Sequence, residues 1–167
     1  MTGPRDRTDF IHQPRRDSMY AERVSDPYRA RGKWSEPTTC PDCGAIFRAG
    51  HWQWGDQEQG AEQHLCPACQ RVRDRVPAGQ LTVTGEFYLV NRQEILQLIR
   101  NTESRAKAEH PLERIMAIEE HVGNAVITFT DSHLAHGVGQ ALHHAYQGEL
   151  DSEYTDGDDL MRITWRR

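Results

Sequence analysis

Two C-x-x-C clips, Cys40–Cys43 and Cys66–Cys69, stand 22 residues apart (44 to 65) and constrain this chain more than anything else in it. A two-residue gap lets a tight knuckle turn aim both sulfurs of a clip at one point. Two such clips then supply the four corners of a tetrahedron, the all-sulfur geometry of a structural zinc ion. Gly44, directly after the first clip, can adopt positive φ and turn backbone N–H groups toward the sulfurs. An iron–sulfur cluster and a redox-active thiol pair are the alternatives for this spacing. Two structural disulfides fit poorly, because pairing within a C-x-x-C clip suits redox enzymes. The opening run Met1 to Arg7 also lacks the apolar stretch of a secretory signal. With all four positions filled by protein, one zinc ion is expected to fold its module rather than to catalyse.

At 167 residues the chain has room for one domain or two small ones. Only 37% of it is hydrophobic and the mean hydropathy is −0.80, which implies a modest core and much solvated or disordered chain. Its apolar runs are a few residues long, too short to span a membrane, so a cytoplasmic location with reduced thiols is expected. The net charge of −5 argues against nonspecific nucleic-acid binding, but the charge is unevenly spread. Residues 1–33 hold eight Lys/Arg against five Asp/Glu, whereas residues 126–167 hold three against seven.

The pattern divides the chain into three stretches. Residues 1–33 show no apolar period and read as a disordered basic arm. They are either a solvated leader or a segment whose Arg15, Arg16, Arg23, Arg29, Arg31 and Lys33 order on a phosphate-rich surface. Residues 34–80 form the zinc ribbon, closed by Pro77-Ala78-Gly79. Residues 81–167 form an α+β domain. Within it, Leu81, Val83, Phe87 and Leu89 alternate with polar positions and predict a strand, with Gly85 marking a bulge. Asn91 and Glu94 predict a capped helix with Ile95, Leu98, Ile99, Thr102 and Ala106 on one face, stopped by Pro111. A hairpin around Gly123-Asn124 follows, with Val126 to Thr130 as its second strand. A second helix, capped by Asp131 or Thr130 and closed by Gly148, carries Leu134, Val138, Ala141, Leu142 and Ala145 inward. A terminal hairpin turns at Asp156-Gly157 and places Ile163 and Trp165 on the return. The order predicts one sheet with two helices on one side, of ferredoxin-like type.

Several residues outside the clips could carry chemistry. Trp52 and Trp54, between the clips, either cover the small ribbon core or stack on unpaired bases. Arg71, Arg73 and Arg75 follow the second clip and suit phosphate contacts, as do Arg162 and Arg166 on one face of the last strand. His133, His136, His143 and His144 cluster on the polar side of the second helix. They read as a solvated face, with a contact face for RNA or protein, or a second metal site, as the sharper readings. Phosphate-binding loops, dinucleotide fingerprints, H-E-x-x-H and G-x-S-x-G are all missing, so no enzyme is expected.

A set of segments carries a resemblance. Thr39 to Gly44, Cys66 to Arg75 with Pro77 to Gly79, His110 to Arg114, Ile127 to Ala135 and Leu160 to Arg166 resemble small bacterial zinc-ribbon proteins of poorly defined function, across about residues 34–167. That group in turn resembles, more distantly, part of the archaeal and eukaryotic adaptor that escorts the large ribosomal subunit out of the nucleus. The resemblance implies zinc at Cys40, Cys43, Cys66 and Cys69, and binding to the ribosome or a structured RNA rather than nuclear export. His136-Gly137 departs from it, since a basic pair is usual there; any RNA contact by that helix would be weaker or pH-dependent.

The expected protein is therefore non-catalytic and binds the ribosome or structured RNA, in subunit maturation or in protecting ribosomes under stress. The alternative is an adaptor or regulator whose acidic α+β domain docks a protein partner.

Overall fold

A computed structural model describes Pro27, Tyr28, residues 34–155, Gly157 and residues 159–167. The reading of residues 1–33 as a disordered arm falls, apart from Pro27, Tyr28, outside these. The architecture is mixed α+β, built on two sheets.

The first sheet has the order β3-β2-β1-β4, from β1 (Thr38–Thr39), β2 (Ile46–Arg48), β3 (His51–Gln53) and β4 (Glu62–Gln63). Ala49 and Gly50 close the β2–β3 hairpin with φ of 53° and 81°, positive at both turn positions, as the twist of a tight hairpin demands. The Glu36 carboxylate accepts both of their N–H groups, at 2.9 and 3.1 Å, and fixes the turn to the segment that leads into β1. Helix α1 (Pro67–Asp74) follows the second clip. Cys66 is its N-cap, and Pro67, whose missing N–H is no loss in a first turn, starts it. It ends at Arg75 in the left-handed conformation, φ 57°.

The second sheet has the order β6-β7-β5-β9-β8. Its elements are β5 (Gly79–Thr84), α2 (Glu86–Val90), α3 (Arg92–Glu109), β6 (Ile115–His121), β7 (Asn124–Phe129), α4 (Ser132–Tyr146), β8 (Glu149–Thr155) and β9 (Leu160–Arg166). Gly79 and Gln80, read as the end of the ribbon, already pair in this sheet. Leu81, Val83, Ala125, Ile127, Phe129, Ile163 and Trp165 form its buried face, under Ile95, Leu96 and Ile99 of α3 and Leu134, Val138 and Leu142 of α4. Small residues bring α4 close: a Cβ on Gly79 would collide with that of Ala135, and one on Gly139 would meet Ile163 Cγ2 at 3.0 Å. The other face, with Thr82, Thr84, Thr128, Arg162, Thr164 and Arg166, has no buried residue. Strands β6, β7 and β5 have the split β-α-β arrangement of a ferredoxin-like sheet, antiparallel throughout. The end of the chain departs from it. Strand β9 inserts parallel to β5 and pushes β8 to the edge.

Three local expectations are corrected. The strand expected to run to Leu89 stops at Thr84, because Gly85 (φ 106°) lies against the main chain of Arg167, where no Cβ fits. Residues 86–90 then form a helix that buries Tyr88 and leaves Leu89 exposed. Asn91 does not cap α3. Its φ of −109° and ψ of 23° continue from α2, and its side-chain N–H donates back to the Phe87 carbonyl at 2.9 Å. Asp131 does cap α4, accepting from Leu134 N at 2.9 Å. The buried stripe of α4 runs through Ala135 and Gly139 rather than Ala145, which is exposed.

Candidate metal centre

The four cysteine sulfurs lie within 4.8 Å of one another, a group able to hold a metal ion. The clips meet because β1 delivers Cys40 and the first turn of α1 carries Cys66 and Cys69. Gly44, at φ 78°, closes the first knuckle with its N–H on the Cys40 carbonyl at 2.9 Å. Backbone N–H groups also face the sulfurs: Cys66 N donates to Cys40 Sγ at 3.3 Å and Cys69 N to Cys66 Sγ at 3.4 Å. Cys43 and Cys66 sulfurs are 3.8 Å apart, far beyond the bonded distance of about 2.05 Å, so the clips are not cross-linked.

Sulfur charge is unevenly held. The Cys43 thiol is driven well down by its contact with Cys66, and Cys66 is driven up by the same contact and by burial. Burial pushes Cys69 up to about 11, against the opposing hydrogen bond from Arg114. Thiolate ligands shed these protons when a cation binds.

Arg114, contributed by the second sheet's side of the molecule, completes the site. Its Nη2 lies 3.2 Å from Cys66 Sγ, 3.5 Å from Cys69 Sγ and 3.7 Å from Cys43 Sγ, with Nη1 at 3.5 Å from Cys69 Sγ. Burial opposes its charge, but the hydrogen bond to Cys69 and the neighbouring sulfurs outweigh that and raise its pKa. Buried Thr130 sets its position. Thr130 Oγ1 accepts from Arg114 N at 2.9 Å and donates to the Leu112 carbonyl at 2.6 Å. Leu112 packs on the ribbon core beside Trp52, Ala45 and Ala68. Sequence reasoning singled out the clips but not this arginine, which stands 45 residues from Cys69 in the chain.

The other expected contact residues are largely engaged elsewhere. Trp52 is buried, with its ring centroid 5.8 Å from Trp34 and 5.6 Å from Phe47, so it is ribbon core rather than a stacking platform. Trp54 is partly exposed, but its Nε1 donates to the Lys107 carbonyl at 2.6 Å, tying the ribbon to α3. Arg71 is 5% exposed, donates to the Val76 carbonyl at 3.1 Å and lies 4.4 Å from the Tyr28 ring centre. Arg73 binds Asp42 through two bonds of 2.9 and 2.6 Å. Arg71, Arg73 and Arg75 therefore do not present one phosphate-facing row. Arg162 and Arg166 do share the open sheet face, yet they stand opposite Glu153 and Glu149 of β8. Of the helical histidines, His133, His143 and His144 are exposed and His136 half-buried; among the described residues none joins a metal-binding group.

This predicts unequal arginines. Arg71→Gln should lower stability by about 1–3 kcal/mol through loss of a buried hydrogen bond, while Arg75→Gln should change it by less than about 0.5 kcal/mol. Thermal melting of the two variants checks this; equal melting would contradict the burial of Arg71.

In comparisons with family models, curated proteins and solved structures, nothing matches this chain. No helix among the described residues is long and apolar enough to cross a membrane.

Proposed function

We propose that this chain is a non-catalytic zinc-ribbon adaptor, with one structural zinc ion on Cys40, Cys43, Cys66 and Cys69, whose acidic α+β unit docks a protein partner. Zinc bonds to sulfur of about 2.3 Å imply sulfur–sulfur edges of about 3.8 Å in a tetrahedron, and the Cys43–Cys66 separation of 3.8 Å fits that value. The donor set of four thiols fits zinc as well. When bound, the ion would contribute folding energy, since four protein ligands leave no position open for a substrate.

Arg114 carries the structural reading. A zinc ion with four thiolates has net charge −2, and a guanidinium against three of the sulfurs balances that charge and shields them. For the partner, the engaged state of the arginines favours protein over RNA. Arg71 is buried, Arg73 is paired with Asp42, and Arg48 and Arg92 are paired with Glu58 and Glu120. Residues 34–167 hold 12 Lys/Arg against 20 Asp/Glu.

The basic balance of residues 1–33 favours a second reading, binding to the ribosome or structured RNA, which the resemblance also implies. Sedimentation of the tagged chain from growing and starved cells, at low and high salt, separates the two. The adaptor reading expects a complex that persists as salt rises. Travel with ribosomal particles that disappears steeply with salt would overturn it in favour of RNA.

A further inference from the structure

Strand β8 forms one edge of the five-stranded sheet, and among the described residues no strand pairs with its outer side. Protein sheets blunt such edges with bulges, prolines, charged side chains, short length or a covering element. The opposite edge follows that rule: β6 is irregular between Ile115 and Ala117, and the Ile115 N–H is taken by Glu103 of α3 at 3.4 Å. The β8 edge relies on charge alone. It runs seven residues in unbroken one-to-one register with β9 and contains no proline.

Its side chains specify what can pair there. Glu149, Asp151 and Glu153 alternate on the open face of the sheet. Glu149 and Glu153 stand opposite Arg166 and Arg162, but Asp151 stands opposite Thr164 and has no cation across from it. From 149 to 159 the sequence holds six Asp/Glu and no Lys or Arg. The alternate positions Leu150, Ser152 and Tyr154 point to the helix side, with Leu150 against the core and Tyr154 51% exposed. A second copy of this chain is a poor occupant, because pairing two β8 edges would set carboxylates against carboxylates.

We propose that the β8 edge docks an extended basic segment of a partner protein, which adds as a sixth strand with Lys or Arg over Glu149, Asp151 and Glu153 and apolar side chains beside Leu150 and Tyr154. Main-chain hydrogen bonds along the edge supply affinity, and the alternating charges supply selectivity. This rests on the adaptor reading and names its partner's chemistry.

The test uses the full chain and a capped peptide of about eight residues, enough to span β8, with lysine at every second position and valine or threonine between. Amide hydrogen exchange and backbone NMR shifts are followed with the peptide present. Exchange at residues 149–155 should slow by about tenfold, while residues 115–121 of the opposite edge stay unchanged. Replacing lysine by glutamate in the peptide should abolish the effect. N-methylation of alternate peptide nitrogens, which keeps the charge but removes main-chain donors, should abolish it too. Asp151→Lys, at an exposed position, should weaken binding by about tenfold without lowering the melting temperature. Equal binding by the N-methylated peptide would show attraction by charge alone and overturn strand addition. No slowing at β8 at any soluble concentration of the lysine peptide would also overturn it. Either failure leaves the sedimentation result standing, so the two readings fail separately.

Discussion

Cys66→Ser is expected to lose the metal and unfold the ribbon while the five-stranded sheet survives. The ribbon has little else to hold it. Its large buried apolar side chains are Trp52 and Ile46, beside Ala45, Ala68, Cys40, Cys66 and Cys69, with Trp34, Phe47, Leu65 and Cys43 only partly covered. Burying a large apolar side chain contributes about 1.5–3 kcal/mol, so Trp52 and Ile46 cannot offset the entropy of ordering so long a segment. A structural zinc ion, as proposed for this site, would contribute on the order of 10–16 kcal/mol of apparent binding energy to folding. The second core is a separate cluster, since the buried Trp165, Phe129, Leu81, Ile127 and Ile99 pack together with no ribbon residue among its members. Limited proteolysis should therefore cut the variant between residues 34 and 78 and spare residues 79–167. Equal resistance in variant and wild type would show that the ribbon folds without its metal.

Arg114→Ala should loosen the metal without removing a ligand. The guanidinium hydrogen-bonds directly to the sulfurs, and it arrives from a loop held by Thr130. Its loss leaves the charge of a four-thiolate site unbalanced in a buried setting. The expected cost is about 10–100-fold in metal affinity, the usual effect of removing an outer partner of a ligand set. Arg114→Lys, which restores the charge but not the forked donors, should recover only part of this. Competition with a chelator measures it. The same Arg114→Ala change should free residues 110–114 from the ribbon, seen as faster amide exchange there. An unchanged chelator titration would remove Arg114 from the site.

Local patterns in the sequence carried much of this structure. Spacing brought Cys40, Cys43, Cys66 and Cys69 to one point, and the Asp131 cap and the alternation through Ile163 and Trp165 appear where their local chemistry places them, while the hairpin turns at Val122-Gly123, one residue before the Gly123-Asn124 position expected. Most of the misses come from packing that no local pattern encodes. Phe87 and Leu89 continue the strand period, and only the approach of Arg167 to Gly85 turns the chain into a helix too short to show its own period. No local signal announces that β9 will insert beside β5. Arg71 reads as a phosphate contact because it is charged and follows the clip, yet it is buried, with its head engaged by the Val76 carbonyl and the Tyr28 ring. Arg114 lies in one of the resemblance segments, His110 to Arg114, but nothing there marks it as a neighbour of the sulfurs. Its role exists only once Thr130 has folded the loop back onto the ribbon.

Metal content tests the account most directly. Native mass spectrometry with elemental analysis of the purified chain should find one zinc per molecule, in wild type and in His133→Ala with His136→Ala alike, because the cysteine set is complete without the helix. No metal, with all four thiols freely titratable in the folded protein, would contradict the structural-zinc reading, and a second zinc lost in the histidine double variant would contradict the non-catalytic one.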